Sequence, residues 1–187
     1  MDMNPKDPTM EPLGTQVLLD VARALQEDVG SGDLTAALVP AGRRARARVL
    51  AREAAVICGA PWAEAALRAL DPTVRITWHV AEGQRSTPDQ VVLEAEGDAR
   101  ALLSAERTAL NFLQLLSAVA TRLRERYGLR DAIVAPTAQG RLSRERTNER
   151  VAAALAAFVR RHLHPGAVVG VSWGDSVARA LSMLSEE

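Results

Sequence analysis

Three groupings in this 187-residue chain have residue types able to do chemistry. In the run SAERTALNFLQLLSAVAT, Ser104 to Thr121, Arg107 falls on the helix flank away from Leu110 and Leu113, with Asn111 one turn on and Gln114 nearby. A guanidinium there can clamp a carboxylate or a phosphate through its planar fork. An arginine among polar helix neighbours is ordinarily solvated surface, so spacing alone assigns Arg107 no task. In the run VVGVSWGDS, an apolar strand leads through Gly170, Ser172, Gly174 and Ser176 into a helix. The free N–H groups at that helix start point at the loop, a geometry that holds a phosphate or sugar phosphate. Asp175 would cap the helix but repel an anion, and the same residues also serve as ordinary turn chemistry. The third grouping is the H-x-H pair His162 and His164; with no further ligand nearby, stabilisation of a helix C-terminus by its dipole accounts for both.

Much chemistry is excluded by what surrounds these residues. His79 stands alone in a strand, and Cys58 lies in the apolar run AAVICGAPW, where a thiol behaves as a small buried hydrophobe rather than a nucleophile. A single cysteine forms no internal disulfide, and no metal-ligand spacing, catalytic triad, carboxylate pair or P-loop can be named. Lys plus Arg equals Asp plus Glu at 23 each, so no net basic field draws in nucleic acid and no DNA binding by the chain alone is expected. Lys6 is the only lysine. No window approaches the roughly 18 unbroken apolar residues of a membrane span, and no signal-peptide core is present. A cytoplasmic, non-membrane protein is expected.

The elements that must position these residues follow from periodicity. Met1 to Gly14 is rich in Pro and polar residues and reads as a disordered leader. A helix is expected from Thr15, with Val17, Leu18, Val21 and Leu25 at helical spacing, ending at Gly30. Asp33 caps a short turn over Thr35 to Leu38. ARARVLAREAAVICG alternates Ala45, Ala47, Val49 and Ala51 against Arg44, Arg46, Arg48 and Arg52, a strand with one wet face. PWAEAALRALD is a short helix with Pro at its first turn, and VRITWHV and QVVLEAEG form an antiparallel pair. From Asp98 to about Tyr127 a long helix carries the stripe Leu102, Ala105, Ala109, Leu110, Leu113, Leu116, Ala120 and Leu123, and Gly128 stops it. The remainder reads as the strand LRDAIVAP, the loose polar run TAQGRLSRERTNERV, the amphipathic helix ERVAAALAAFVRRHLH, then strand, glycine-bounded loop and helix. This change of grammar places a boundary near Thr121 to Gly128, giving a leader at 1–14, a first domain at 15–121 and a second segment at 122–187.

ALQEDVGSGDLTAALVP, ARVLAREAAVICGAPWAEAALRALDP and WHVAEGQRSTPDQVVLEAEGDARALLSAERTALNFLQLLSAVAT together resemble the N-terminal domain of quinolinate phosphoribosyltransferase, also called carboxylating nicotinate-nucleotide pyrophosphorylase, over about Thr15 to Thr121. The resemblance implies an α+β fold: an α/β sandwich with a mostly antiparallel sheet and a long helix. It implies a family making nicotinate mononucleotide from quinolinate and phosphoribosyl pyrophosphate, with Mg²⁺, in NAD synthesis. It also implies a homodimer in which the arginine of ERTALNF, Arg107 here, reaches quinolinate in the partner's active site.

The chain departs from that family at Pro88-Asp89, where Pro-Gly is usual, and at Ala118, where Gly commonly follows the serine. After Thr121 the family continues into an incomplete barrel carrying most of its arginines and the acidic metal ligands; a barrel takes about 200 residues, and 66 follow here. The expectation is a chain without its catalytic barrel, inactive alone and holding no cofactor of its own. Leu123 to Leu184 is similar instead to the start of the sugar-binding effector domain of sorbitol-operon-type transcriptional regulators, whose glycine-rich loop contacts a phosphorylated sugar. It implies a short partial βαβα segment with Gly170, Ser172, Gly174 and Ser176 at the phosphate. Expected partners are therefore a second copy or a barrel-containing chain, with quinolinate or a sugar phosphate as ligand. The stripe Leu110, Leu113 and Leu116 is expected to be partly core and partly a face that such a partner covers.

Overall fold

In the computed structural model, which describes residues 11–30, 32–129, 132, 134, 144–162 and 175–185, the sheet is built around an acidic strand. The elements run α1 (Glu11–Asp28), α2 (Leu34–Ala37), β1 (Arg44–Leu50), α3 (Ala60–Leu70), β2 (Arg75–Trp78), β3 (Val91–Asp98), α4 (Ala99–Tyr127), α5 (Arg144–His162) and α6 (Asp175–Ser185). The chain divides into two compact units, Val17–Val134 and a second comprising Met1–Gln16 with Ala135–Glu187.

In the first unit the sheet order is β1-β3-β2, antiparallel throughout. Glu96 on β3 is opposite Arg46 on β1 and Arg75 on β2, and Glu94 is opposite Arg48 and Thr77. Period-two alternation puts these charges on one face and Leu93, Ala95, Ala47 and Ile76 on the other. The mixed helix and sheet architecture is as expected, but the wet side of β1 is wider than its alternation suggests. Ala45 and Ala47 are exposed along with the arginines, and only Val49 is half-buried. An edge strand has one neighbour, so its small residues gain little cover.

Long helix α4 matches its expected bounds because both ends carry strong local signals. The Asp98 carboxylate accepts from the Ala101 N–H at the start, and Gly128 takes the left-handed conformation at the end. Its buried stripe packs on α3: Leu102, Ala105, Ala109, Leu113, Leu116 and Ala120 are buried, and Trp62 of α3 meets Phe112 at 6.3 Å between rings. Leu113 and Leu116 are thus core rather than a docking face, and Leu110 is half-buried. The large apolar residues that α4 leaves exposed are Leu103, Leu115 and Val119 and, at its last position, Tyr127.

The close approach of α3 and α4 requires Gly59. Its φ is +101°, and a Cβ there would sit 2.9 Å from Leu116 Cδ1 and 3.0 Å from the Phe112 carbonyl oxygen. Asp89, where the resembled family usually has glycine, also takes positive φ, 61°; aspartate is one of the few residues that tolerate it.

Other expectations need correction. Helix α1 starts at Glu11, inside the stretch read as leader, because Pro12 suits a first helical turn. Val17 and Val21 are buried, Leu25 is half-buried and Leu18 is exposed. Helix α5 starts at Arg144, within the run read as loose, and Leu129, Ala132 and Val134 lie in no strand. The strand expected before Gly170 lies outside the described residues. In the second unit α5 and α6 pack through Ala152, Ala156 and Ala180, flanked by Leu155, Met183 and Leu184. Arg179 pairs with Glu149 at 3.5 Å, and the Arg160 guanidinium donates to the Met183 carbonyl. No described helix is long and apolar enough to cross a membrane.

Candidate functional site

Arg107 is carried on the 29-residue helix α4, and a row of side chains on the same helix bonds Asp28, Asp33 and Val39 beside it. Ser104 Oγ donates to Asp33 Oδ2 at 3.0 Å, and Thr108 Oγ1 donates to Asp28 Oδ2 at 2.6 Å. Arg100, one turn before Ser104, donates through Nε to the Val39 carbonyl at 2.7 Å. Arg100, Ser104 and Thr108 are four residues apart, so all three fall on one flank of α4. They bind chain positions 61 to 80 residues away.

Asp33 also accepts from the N–H groups of Thr35 and Ala36 through Oδ1, capping α2. Its carboxyl is held below the ordinary carboxylate value, first by the Ala36 N–H, then by the Ser104 hydroxyl, with a smaller contribution from the positive charge of Arg107. The structure therefore brings Arg107 near Asp33. The Arg107 side chain is exposed, and among the described residues no carboxylate lies within 4 Å of it. Leu103, Arg107, Asn111 and Leu115 follow one another at four-residue intervals on an outward flank, and Asn111 and Gln114 are exposed as well. A rigid helix, a free guanidinium and adjacent amides can bind a carboxylate or phosphate delivered from outside.

Elsewhere α4 acts as a clamp rather than a site. Ser117 Oγ accepts from the Cys58 N–H at 3.0 Å and donates to the Cys58 carbonyl at 3.2 Å, and Thr121 Oγ1 accepts from the Val56 N–H at 2.8 Å. Glu82 caps α3 by accepting from the N–H groups of Gly59 and Ala60. Cys58 is buried, and burial, reinforced by the Glu82 carboxylate, pushes its thiol up to about 12. It is no nucleophile at neutral pH, as the apolar run implies. Buried Asp71 accepts from Thr73 N, Thr73 Oγ1 and Asp98 N, and the Thr73 hydroxyl foremost holds its carboxyl below the ordinary value.

Gly170, Ser172 and Gly174 lie outside the described residues, as does His164. Ser176, Asp175 and His162 fall within α6 and α5, and the geometry of the expected phosphate loop is not among the described features. His79 is exposed, 3.7 Å from Glu94. Among the described residues no cluster of three or more His, Cys, Asp or Glu could hold a metal ion.

The roles of Ser104, Thr108 and Arg100 were not inferred from the sequence. A polar row at i, i+4 and i+8 beside an apolar stripe is the signal that marks them.

Two family models match parts of this chain. Residues 33–117 match the family model "Quinolinate phosphoribosyl transferase, N-terminal domain", and residues 113–187 match "Putative sugar-binding domain". A probable nicotinate-nucleotide pyrophosphorylase [carboxylating] of Bacillus subtilis is 35% identical over 99 residues, covering 53% of this chain and 34% of its own length. A mitochondrial quinolinate phosphoribosyltransferase [decarboxylating] of Nicotiana tabacum is 33% identical over 123 residues, 65% of this chain and 34% of its own. The solved nicotinate-nucleotide pyrophosphorylase of Francisella tularensis superposes with a TM-score of 0.58 at 33% identity, over 67% of this chain and 42% of that one. Residues 33–117 are thus similar to the N-terminal domain of quinolinate phosphoribosyltransferases, and residues 113–187 to a sugar-binding domain. The chain spans about a third of the length of the curated relatives it matches.

Proposed function

We propose that residues 15–121 act as the dimerisation and substrate-contacting domain of a cytoplasmic quinolinate phosphoribosyltransferase of NAD biosynthesis, working across a subunit boundary. The observation that carries this reading is Arg107, exposed on α4 and flanked by Leu103 and Leu115 on an outward flank. A dicarboxylate such as quinolinate needs a cation that stays charged at any working pH and offers two parallel donors, and arginine supplies both. The partner that covers the flank is a second copy or a chain carrying the catalytic barrel, which brings the remaining cations and the metal ligands. On this reading the chain alone does not turn over, because the charge that develops as pyrophosphate departs is unmatched.

The match of residues 113–187 supports a second reading for the C-terminal segment. There Gly170, Ser172, Gly174 and Ser176 bind a sugar phosphate, and the chain joins two modules of different origin.

Calorimetric titration with quinolinate and, separately, ribose 5-phosphate separates the readings. Heat with quinolinate that disappears in Arg107→Ala supports the first. No heat with quinolinate removes the substrate contact and leaves an association module. Heat with ribose 5-phosphate that disappears in Gly174→Leu supports the second.

A further inference from the structure

Strand β1 combines two features that the proposed function does not use. It is a sheet edge over seven residues, and its exposed residues alternate arginine with alanine. The phase of the β1/β3 ladder fixes which main-chain groups are free. Ala99 donates to the Arg43 carbonyl at 2.7 Å, so residues 43 and 99 form a hydrogen-bonded pair. Antiparallel pairs alternate, and the register places Ala45 opposite Gly97, Ala47 opposite Ala95 and Val49 opposite Leu93 in the same bonded phase. Arg44, Arg46 and Arg48 therefore turn their N–H and C=O groups outward, away from β3. No described strand pairs with them.

The side chains of the same three residues make the edge selective. Arg44 and Arg48 are 4.0 Å from Glu96 and Glu94, long and exposed ion pairs that neutralise little. Arg46 has no carboxylate within 4 Å among the described residues, and Arg43 and Arg52 flank the strand with further positive charge. A second β1 laid against this edge would set arginine against arginine, which opposes self-pairing. A strand alternating acidic with small apolar residues would place carboxylates beside arginines and small side chains beside Ala45 and Ala47. Such a strand already lies on the other side of β1: β3, with the sequence VVLEAEGD.

We propose that the free edge of β1 is a docking site for an extended acidic segment of another protein, which adds as a fourth strand with carboxylates at alternate positions. The main-chain groups of Arg44, Arg46 and Arg48 supply the ladder, and their guanidinium groups select the sequence.

The test is fluorescence anisotropy of the full chain with a dye-labelled VVLEAEGD peptide as probe, against a peptide with both glutamates changed to glutamine. Micromolar binding of the acidic peptide, weakened roughly tenfold in the glutamine peptide, is expected for charge-selected strand addition. Two variants separate main chain from charge. Arg46→Gln removes the charge and keeps the outward N–H; Arg46→Pro removes both and leaves the β3 ladder intact, because that N–H faces away from β3. Arg46→Pro should bind about fivefold more weakly than Arg46→Gln, the worth of one main-chain hydrogen bond. Circular dichroism checks that both variants are folded, and Arg48→Glu, with its N–H retained, should abolish the preference for glutamate should the proline variant unfold. The proposal is overturned by absence of binding to the acidic peptide, by equal binding in Arg46→Gln and Arg46→Pro when both are folded, or by an unchanged glutamate preference in Arg48→Glu. Tighter binding of a single-stranded RNA oligomer than of the peptide would also overturn it, since phosphates need only the arginines.

Discussion

Where α3 meets α4, Gly59, Ala63, Ala66, Leu113 and Leu116 are buried together, and Ser117 and Thr121 meet main-chain groups 59 and 65 residues away. Along β1, in the same unit, every residue but Val49 is exposed and the ion pairs of its arginines are 4.0 Å long. Small residues occur in both places, for different reasons. At the helix contact they let backbones approach and exclude water; on β1 they alternate with the arginines, on the opposite face of the strand, and stay exposed. Stability is concentrated in the first region, because dry packing and short hydrogen bonds there have no competing water. The second region is left open to recognition at little cost to the fold.

The sharpest way to break this contrast is Gly59→Val. A branched side chain at φ +101°, with its Cβ against Leu116 and the Phe112 carbonyl, combines left-handed strain with overpacking. It should cost about 3 kcal/mol, read as a large fall in the midpoint of urea unfolding.

Asp71→Asn tests the hydrogen-bonded junction where the α3–β2 turn meets the start of α4. One of its oxygens becomes an amide facing the Asp98 N–H, or else faces Thr73; the expected loss is about 1–2 kcal/mol at neutral pH. The carboxyl is lowered in the folded protein, so its contribution is fully present above the ordinary value of 3.8 and lost as pH falls through the lower folded value. The gap between wild type and Asp71→Asn should therefore narrow on acidification below 3.8. A gap that widens there would show that the carboxylate form is not the stabilising one.

The smallest effect belongs to the open face. Glu94→Gln removes exposed pairs to Arg48 and His79 and should change unfolding free energy by no more than about 0.5 kcal/mol. A loss comparable with that of Asp71→Asn would mean the outer face carries stability after all.

Much of the first unit was legible in the residues because its signals are local. Asp98 and Gly128 bound α4, Asp33 caps α2 and Pro61 opens α3, each within a turn of the element it limits. Arg107 was legible as a chemical type and acquired its reading from the motif around it. The start of α1 was missed because Pro12 and Gly14 read as loop markers, although proline suits a first helical turn. The exposed apolar flank of α4 was also missed: periodicity offers Leu110, Leu113 and Leu116 as readily as Leu103, Leu115 and Val119.

By itself the sequence determined the type and order of the helices and strands of the first unit, the alternation of β1 and β3, the inert setting of Cys58 and the placing of Arg107 on a helix flank. These follow from preferences acting over three or four residues and from periods of 2.0 and 3.6. Only the tertiary structure decided which stripe of α4 is dry, that both faces of β1 are wet, and that Ser104 and Thr108 hold the loop beside Arg107. Burial and long-range hydrogen bonds depend on neighbours tens of residues away in the chain, and no local preference encodes which neighbour arrives.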